Sequence, residues 1–145
     1  MLPSSPGSYV LVLELRQPEQ LTVGRLGSFL FRAGWYLYAG SALGPGGLAA
    51  RLHRHLKSSK TLHWHIDSLR EKARLAEIWY SVDSQRRECD WAQALARLPG
   101  AETPVPGFGS TDCVCRYHLI LLNHRPDLLT CPLNSSVPMS SWTLG

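Results

Sequence analysis

Between Trp35 and Lys60 the chain passes from an aromatic strand through a glycine-rich loop into a basic helix, an order that suits the binding of phosphate. The segment Trp35–Ala39 delivers Tyr36 and Tyr38 to one face, because the side chains of a strand alternate. The loop from Gly40 to Gly47 contains Pro45. Beyond it Arg51, Arg54, Lys57 and Lys60 recur every three residues, a cationic stripe opposite the helix face made by Leu48, Leu52 and Leu56. A helix that starts after such a loop also offers free backbone N–H groups to an anion. The same residues describe a solvated charged face and two tyrosines packed in a sheet. The Gly-Lys-Ser/Thr ending of a nucleotide-binding P-loop is missing, so this is no Walker loop.

The elements that must hold these residues can be read from apolar spacing and from Gly and Pro punctuation. Ser8–Leu15 reads as a central strand, and Leu21–Phe31, interrupted by Gly24 and Gly27, as one bent strand or two short ones. Leu48 to about Lys57 is a helix. A second helix spans His63 to Lys72, with Ile66 and Leu69 inward. Ala76–Val82 is a strand, and Arg87–Leu98 is a helix with Trp91, Leu95 and Leu98 on one face. Pro99–Thr111 is a loop and Tyr117–Leu122 a last strand. The order mixes antiparallel hairpins with helices, which predicts an α+β fold: a small, mostly antiparallel central sheet flanked by about three helices. The domain is expected over residues 1–122. Residues 123–145, with several Pro, Ser and Thr and little periodicity, are expected to form a loosely held tail.

At 145 residues, 44% hydrophobic and 18% charged, the chain is an ordinary globular domain that needs no disulfide or metal to fold. No apolar run is long enough for a bilayer and no signal peptide precedes the first strand, so a cytoplasmic location is expected. There Cys89, Cys113, Cys115 and Cys131 are expected as thiols or metal ligands rather than bridges. The net charge of +4 fits a polyanionic partner.

Gly7-Ser8-Tyr9 on the first strand and Tyr38-Ala39-Gly40 on a later one resemble the two motifs of the GIY-YIG nuclease superfamily. In that family a leucine and, three residues on, an arginine follow the second motif; Leu48 and Arg51 match them. His55 stands one helical turn further, where the family often has Tyr or His. Glu88, in Arg87-Glu88-Cys89, matches the metal-binding glutamate that opens a later helix. Tyr9 and Tyr38 are 29 residues apart, further than the tight hairpin usual in the family, and the loop before Leu48 is long. Both features are similar to a bacterial and archaeal branch sometimes fused behind an endonuclease III domain. Its marks stand at Tyr36–Ala42, Arg54-His55, His63–Asp67, Glu88-Cys89 and Phe108–Leu119. The resemblance covers residues 7 to 122.

That resemblance implies a metal-dependent endonuclease hydrolysing phosphodiester bonds of nucleic acid, DNA before RNA. Glu88 would hold one Mg²⁺ or Mn²⁺ ion, a hard cation that prefers oxygen and keeps several waters. Arg51 would meet the phosphoryl oxygens with a fork that lysine lacks. Tyr9 would orient or deprotonate the attacking water if nearby cations lower its pKa from about 10. Tyr38 would position water or phosphate, and His55 offers an alternative base. Arg54, Lys57, Lys60, His63 and His65 are the candidate nucleic-acid contacts. His63 and Asp67 share a helix face at i, i+4, which suits a second metal site, a substrate contact or a His–Asp hydrogen bond. Cys89, Cys113, Cys115 and His118 form a candidate zinc set, with buried thiols as the alternative. Two other functions remain open: a non-catalytic nucleic-acid-binding module and a Cys/His zinc-binding regulator.

Overall fold

The run of branched and aromatic residues at Gly7–Leu15 becomes β1, the middle strand of a five-stranded antiparallel sheet. The computed structural model describes residues 2–57, 65–108, 117–131, 133 and 139–144. In chain order the elements are β1 (Gly7–Leu15), β2 (Glu19–Val23), β3 (Gly27–Phe31), β4 (Gly34–Ala42), α1 (Gly47–Leu56), α2 (His65–Arg70), β5 (Arg74–Val82), α3 (Glu88–Ala96), β6 (Leu119–Leu122) and β7 (Ser140–Thr143). The sheet order is β6-β4-β1-β5-β7. The α+β expectation, with a mostly antiparallel sheet and three helices, holds.

β1 is apolar on both faces because both faces are covered, which is why it alternates only loosely. Tyr9, Leu11 and Leu13 point to a core completed by Leu48 and Leu52 of α1, Ile66 and Leu69 of α2, and Leu21 and Val23 of β2. Val10 and Val12 point the other way, to Trp79, Trp91 and Leu95, so α3 packs on the opposite face. The frame thus has a layer on each side of the sheet. A polar site between layers must lie at a strand end, where the first residues of β1 meet the last residues of β4.

Leu21–Phe31 resolves into two strands. β2 and β3 pair as a hairpin in a small sheet of their own, joined by a 3-10 turn at Gly24–Leu26. That hairpin accounts for the 29-position separation of Tyr9 and Tyr38.

The segment after Asn123 departs from the expected loose tail. Ser140–Thr143 is β7, which pairs with β5 and sets Trp142 against Ile78. An edge strand leaves a row of backbone N–H and C=O groups to satisfy. Four residues supply partners for them, too short a run to show a period in the sequence.

Candidate active site

Tyr9 and Tyr38 stand on neighbouring strands and face the same core. Tyr9 is opposite Gly40, and its ring lies directly over that glycine. A Cβ at Gly40 would come within 2.5 Å of Tyr9 Cζ and Oη. The glycine of the Tyr-Ala-Gly motif is therefore needed for space.

α1 delivers two further groups to the Tyr9 hydroxyl. His55, on the buried side of the helix, places Nε2 2.9 Å from Tyr9 Oη. Arg51, one turn earlier, acts on the same hydroxyl as a charge and a hydrogen-bond donor. Its Nη1 also donates to the Ser41 carbonyl at 3.1 Å. From the far side of the sheet, α3 brings Glu88 as its first residue, 6% exposed, with a negative charge that suits the first turn of a helix. Glu88 Oε1 accepts from Arg86 Nη1 at 2.6 Å. Its field reaches both Tyr9 and Tyr38. Tyr9, Tyr38, Arg51, His55 and Glu88 thus converge from β1, β4, α1 and α3.

Burial governs the ionisation of the tyrosines. It pushes the Tyr9 hydroxyl up to about 12; Arg51 and Arg54 work against this but do not overcome it, and Glu88 adds to it. Tyr38 is raised well above the usual phenol range by burial and by the negative charge that Tyr9 and Glu88 would set beside its phenolate. Cation-driven ionisation of Tyr9 is therefore not met by the protein's own arginines: burial outweighs them. Tyr36 belongs to the core. Its hydroxyl donates to the Arg32 carbonyl at 2.6 Å, and its ring packs on Phe31.

Two parts of the expected phosphate site differ. The N–H groups that open α1 are occupied. Those of Gly47, Leu48 and Ala49 donate to the carbonyls of Gly44, Ser5 and Pro3 at 3.1, 2.9 and 2.7 Å. The N-terminal segment lies so close that a Cβ at Gly47 would meet the Ser4 and Ser5 carbonyls at 2.2 and 2.3 Å, and Gly47 has φ +56°. Charge, not helix-end amides, remains to attract an anion.

The cationic stripe is also divided. Arg54 makes a two-pronged pair with Asp67, Nη1 to Oδ1 at 3.0 Å and Nη2 to Oδ2 at 2.9 Å, and the Asp67 side chain is fully buried. Among its described residues Arg51 and Arg54 are half-buried and Lys57 is exposed. Lys57 is the exposed residue that ends α1, while Lys60 and His63 lie outside the described residues. A cleft of about 220 Å³, lined by Gly44, Pro45, Gly47, Ala50, Arg51 and Arg54, opens beside Arg51. A larger, mostly apolar cavity of about 460 Å³ near Leu98, Pro99 and Cys131 contains none of the expected site residues.

His65 stands off from the tyrosines. Its ring packs 5.7 Å from Phe108, which in turn lies 6.0 Å from Tyr38, and burial lowers its pKa. His118 is buried, with Nδ1 3.1 Å from the Ala39 carbonyl and Nε2 4.0 Å from Cys89 Sγ. Cys89 is disulfide-bonded, which corrects the reading of this sulfur as a thiol or zinc ligand; Cys131 is a free thiol. Cys113 and Cys115 lie outside the described residues, among which no group of three His, Cys, Asp or Glu side chains could hold a metal ion.

Ser8 and Ser41 stand inside the motifs Gly7-Ser8-Tyr9 and Tyr36–Ala42 but have no role assigned there, and Arg70 and Arg86 have no sequence signal. Arg70 closes the C-terminus of α1 by donating to the His55 and Leu56 carbonyls at 3.0 and 3.4 Å, a cation where the helix dipole favours one. It thereby fixes the turn that carries His55.

The frame and site define an α+β domain with a polar centre built where β1 and β4 meet two helices. The chain belongs to the family described as "Domain of unknown function DUF123", whose model matches residues 8–139. Among curated proteins it is similar to the polyamine aminopropyltransferases of Mycobacterium tuberculosis and Mycobacterium bovis. Each is 34% identical over 111 residues, which are 77% of this chain and 20% of the relative. The chain thus spans about a fifth of the length of those relatives. No solved structure matches it. No helix among the described residues is long and apolar enough to cross a membrane.

Proposed function

We propose that this domain is a metal-dependent phosphodiester hydrolase of the GIY-YIG type, an endonuclease acting on nucleic acid and on DNA before RNA. The observation that carries the reading is the convergence of Tyr9, Tyr38, Arg51, His55 and Glu88, four of them buried, on one end of the sheet. Side chains brought that close from four elements form a constellation suited to chemistry on a charged group.

A Mg²⁺ or Mn²⁺ ion fits Glu88. One carboxylate oxygen accepts from Arg86, and the second accepts no hydrogen bond among the described residues. When bound, the ion would supply charge against the phosphoryl oxygens and an activated water. Arg51 meets the phosphate with its guanidinium as charge builds there. Tyr9, held neutral by burial, orients the attacking water and passes its own proton to His55 Nε2 as it accepts one from the water. Tyr38 limits where the water and phosphate can sit. The name of the mycobacterial relatives belongs to proteins five times as long as the matched segment.

A second reading, a nucleic-acid-binding module without catalysis, is favoured by one observation: the Arg86–Glu88 ion pair occupies part of the carboxylate. Nicking of supercoiled plasmid in Mg²⁺ and Mn²⁺ separates the two. Wild type should nick. Arg51→Lys should keep the fold and lose about 100-fold or more in rate, the loss found when a donor to a developing oxyanion is removed. Glu88→Gln should bind DNA and fail to cut. No nicking by wild type with either ion, on duplex, branched or single-stranded DNA, would leave the binding module as the better account.

A further inference from the structure

We propose that Ser8 and Ser41 act as a positioning pair that sets Arg51 and Glu88 against each other across the β1–β4 ladder. This rests on the nuclease reading above. The two serines are register partners in the ladder, and both are buried. Their hydroxyl oxygens are 3.0 Å apart. Each is tied to one half of the site. Ser8 Oγ accepts the Arg87 backbone N–H at 3.2 Å, at the residue that caps α3 immediately before Glu88. The Ser41 carbonyl accepts Arg51 Nη1 at 3.1 Å. Arg87 supplies no side-chain cap to α3. The start of that helix is thus held by a serine from the sheet, and the same serine leans on the strand residue that holds the arginine.

This arrangement fits what the chemistry requires. Glu88 and Arg51 approach Tyr9 from opposite layers, so no single helix can fix their separation. The central ladder is the element common to both, and Ser8 and Ser41 are the polar pair it carries at that end. A neighbouring serine supplies the contrast. Ser81, on β5, is the other register partner of Ser8 and is also buried, yet its hydroxyl has no hydrogen-bond partner among the described residues. Ser81 has the same chemistry and similar burial and, among the described residues, no link to either group.

The test compares Ser8→Ala, Ser41→Ala, their combination and the control Ser81→Ala. Three quantities are measured: the nicking rate, the Mn²⁺ concentration that half-saturates it, and Mn²⁺ binding to the free protein by electron paramagnetic resonance. Removing a hydrogen bond that orients a metal ligand typically costs about 10- to 100-fold in metal affinity or activity. Ser8→Ala should raise the half-saturating Mn²⁺ by about 10-fold and weaken Mn²⁺ binding in step. Ser41→Ala should do the same to a smaller degree, and the combination should cost no more than Ser8→Ala alone, because one connected path is being cut. Ser81→Ala should match wild type. Effects that multiply in the combined variant, an equal effect from Ser81→Ala, or a lower melting temperature with unchanged Mn²⁺ dependence would overturn the pairing while the nuclease reading stands. Wild-type protein that neither nicks nor binds Mn²⁺ would overturn both.

Discussion

Arg54 should matter to stability far more than to binding. Its guanidinium holds both oxygens of Asp67 at 2.9–3.0 Å, and the Asp67 side chain is fully buried while that of Arg54 is 25% exposed. Arg54→Ala would leave a buried carboxylate without this partner. Removing one member of a buried pair costs about 3–5 kcal/mol. Partial exposure of Arg54 puts the expectation at the lower end, about 3 kcal/mol. Total stability for a domain is about 5–15 kcal/mol. At roughly 2–4 °C per kcal/mol, the melting temperature should drop by about 6–12 °C. The double variant Arg54→Ala/Asp67→Ala should recover part of that loss, since the buried carboxylate that Arg54 neutralises is gone as well. DNA affinity of the folded protein, followed against salt, should keep its slope. The reasoning is refuted by an Arg54→Ala protein that melts within about 2 °C of wild type and loses about one unit of the slope of log affinity against log salt, the mark of a phosphate contact.

Further outcomes follow from contacts at the same end of the sheet. Gly40→Ala should drive the new methyl into the Tyr9 ring, now 2.5 Å from where a Cβ would sit, and separate Tyr9 from His55. Displacement of about 1 Å costs roughly 100-fold in rate, so nicking should collapse while the circular dichroism spectrum persists; full activity in this variant would show that Tyr9 takes no part. Alkali should unfold the metal-free protein early. Tyr9 and Tyr36 have folded pKa values of about 12 against 10.0 for the ordinary phenol. Above pH 10 the unfolded chain loses protons that the folded one keeps, so stability falls by about 1.4 kcal/mol per pH unit for each of the two, up to about pH 12. Urea denaturation at pH 9 and pH 11 should show the drop, and a flat profile would mean that the hydroxyls are not shielded from water.

The frame was legible in the sequence because its signals are local. The apolar run at Ser8–Leu15, the i, i+4 leucines of α1 and the one-sided Trp91 and Leu95 each specify an element without reference to the rest. Ile66 and Leu69, inward by their spacing, are buried. What escaped depends on partners far along the chain. Occupation of the α1 amides requires that Ser5 and Pro3 fold back onto residues 43 and 46 positions away, and nothing in their composition says so. The pairing of Arg54 with Asp67 spans 13 residues and reads in sequence as one more positive charge in a stripe. β7 has four residues, too few for a period to emerge, and its place is set by the open edge of β5. Ser8 and Ser41 are ordinary strand serines until the register sets them side by side.

The ionisation of Tyr9 constrains how such a site can work. A phenol held near 12 is ionised in roughly one molecule in 10⁵ at pH 7. A base present at that level must be far more reactive than an ordinary one to account for turnover, whereas a neutral hydroxyl can donate and accept in the same step. His55 stands where that exchange needs it, with Nε2 2.9 Å from the hydroxyl and its own turn of α1 secured by Arg70. On the proposed hydrolase reading, Tyr9 serves as the conducting member of a pair, and the proton it releases rests on the His55 imidazole. The burial that disqualifies Tyr9 as a free base is thus compatible with a relay, because a dry, fixed hydroxyl holds one orientation between water and histidine. The same burial explains why Arg51 and Glu88 must come from opposite layers. With a helix layer on each side of the sheet, Arg51 from α1 and Glu88 from α3 each have a single direction of approach.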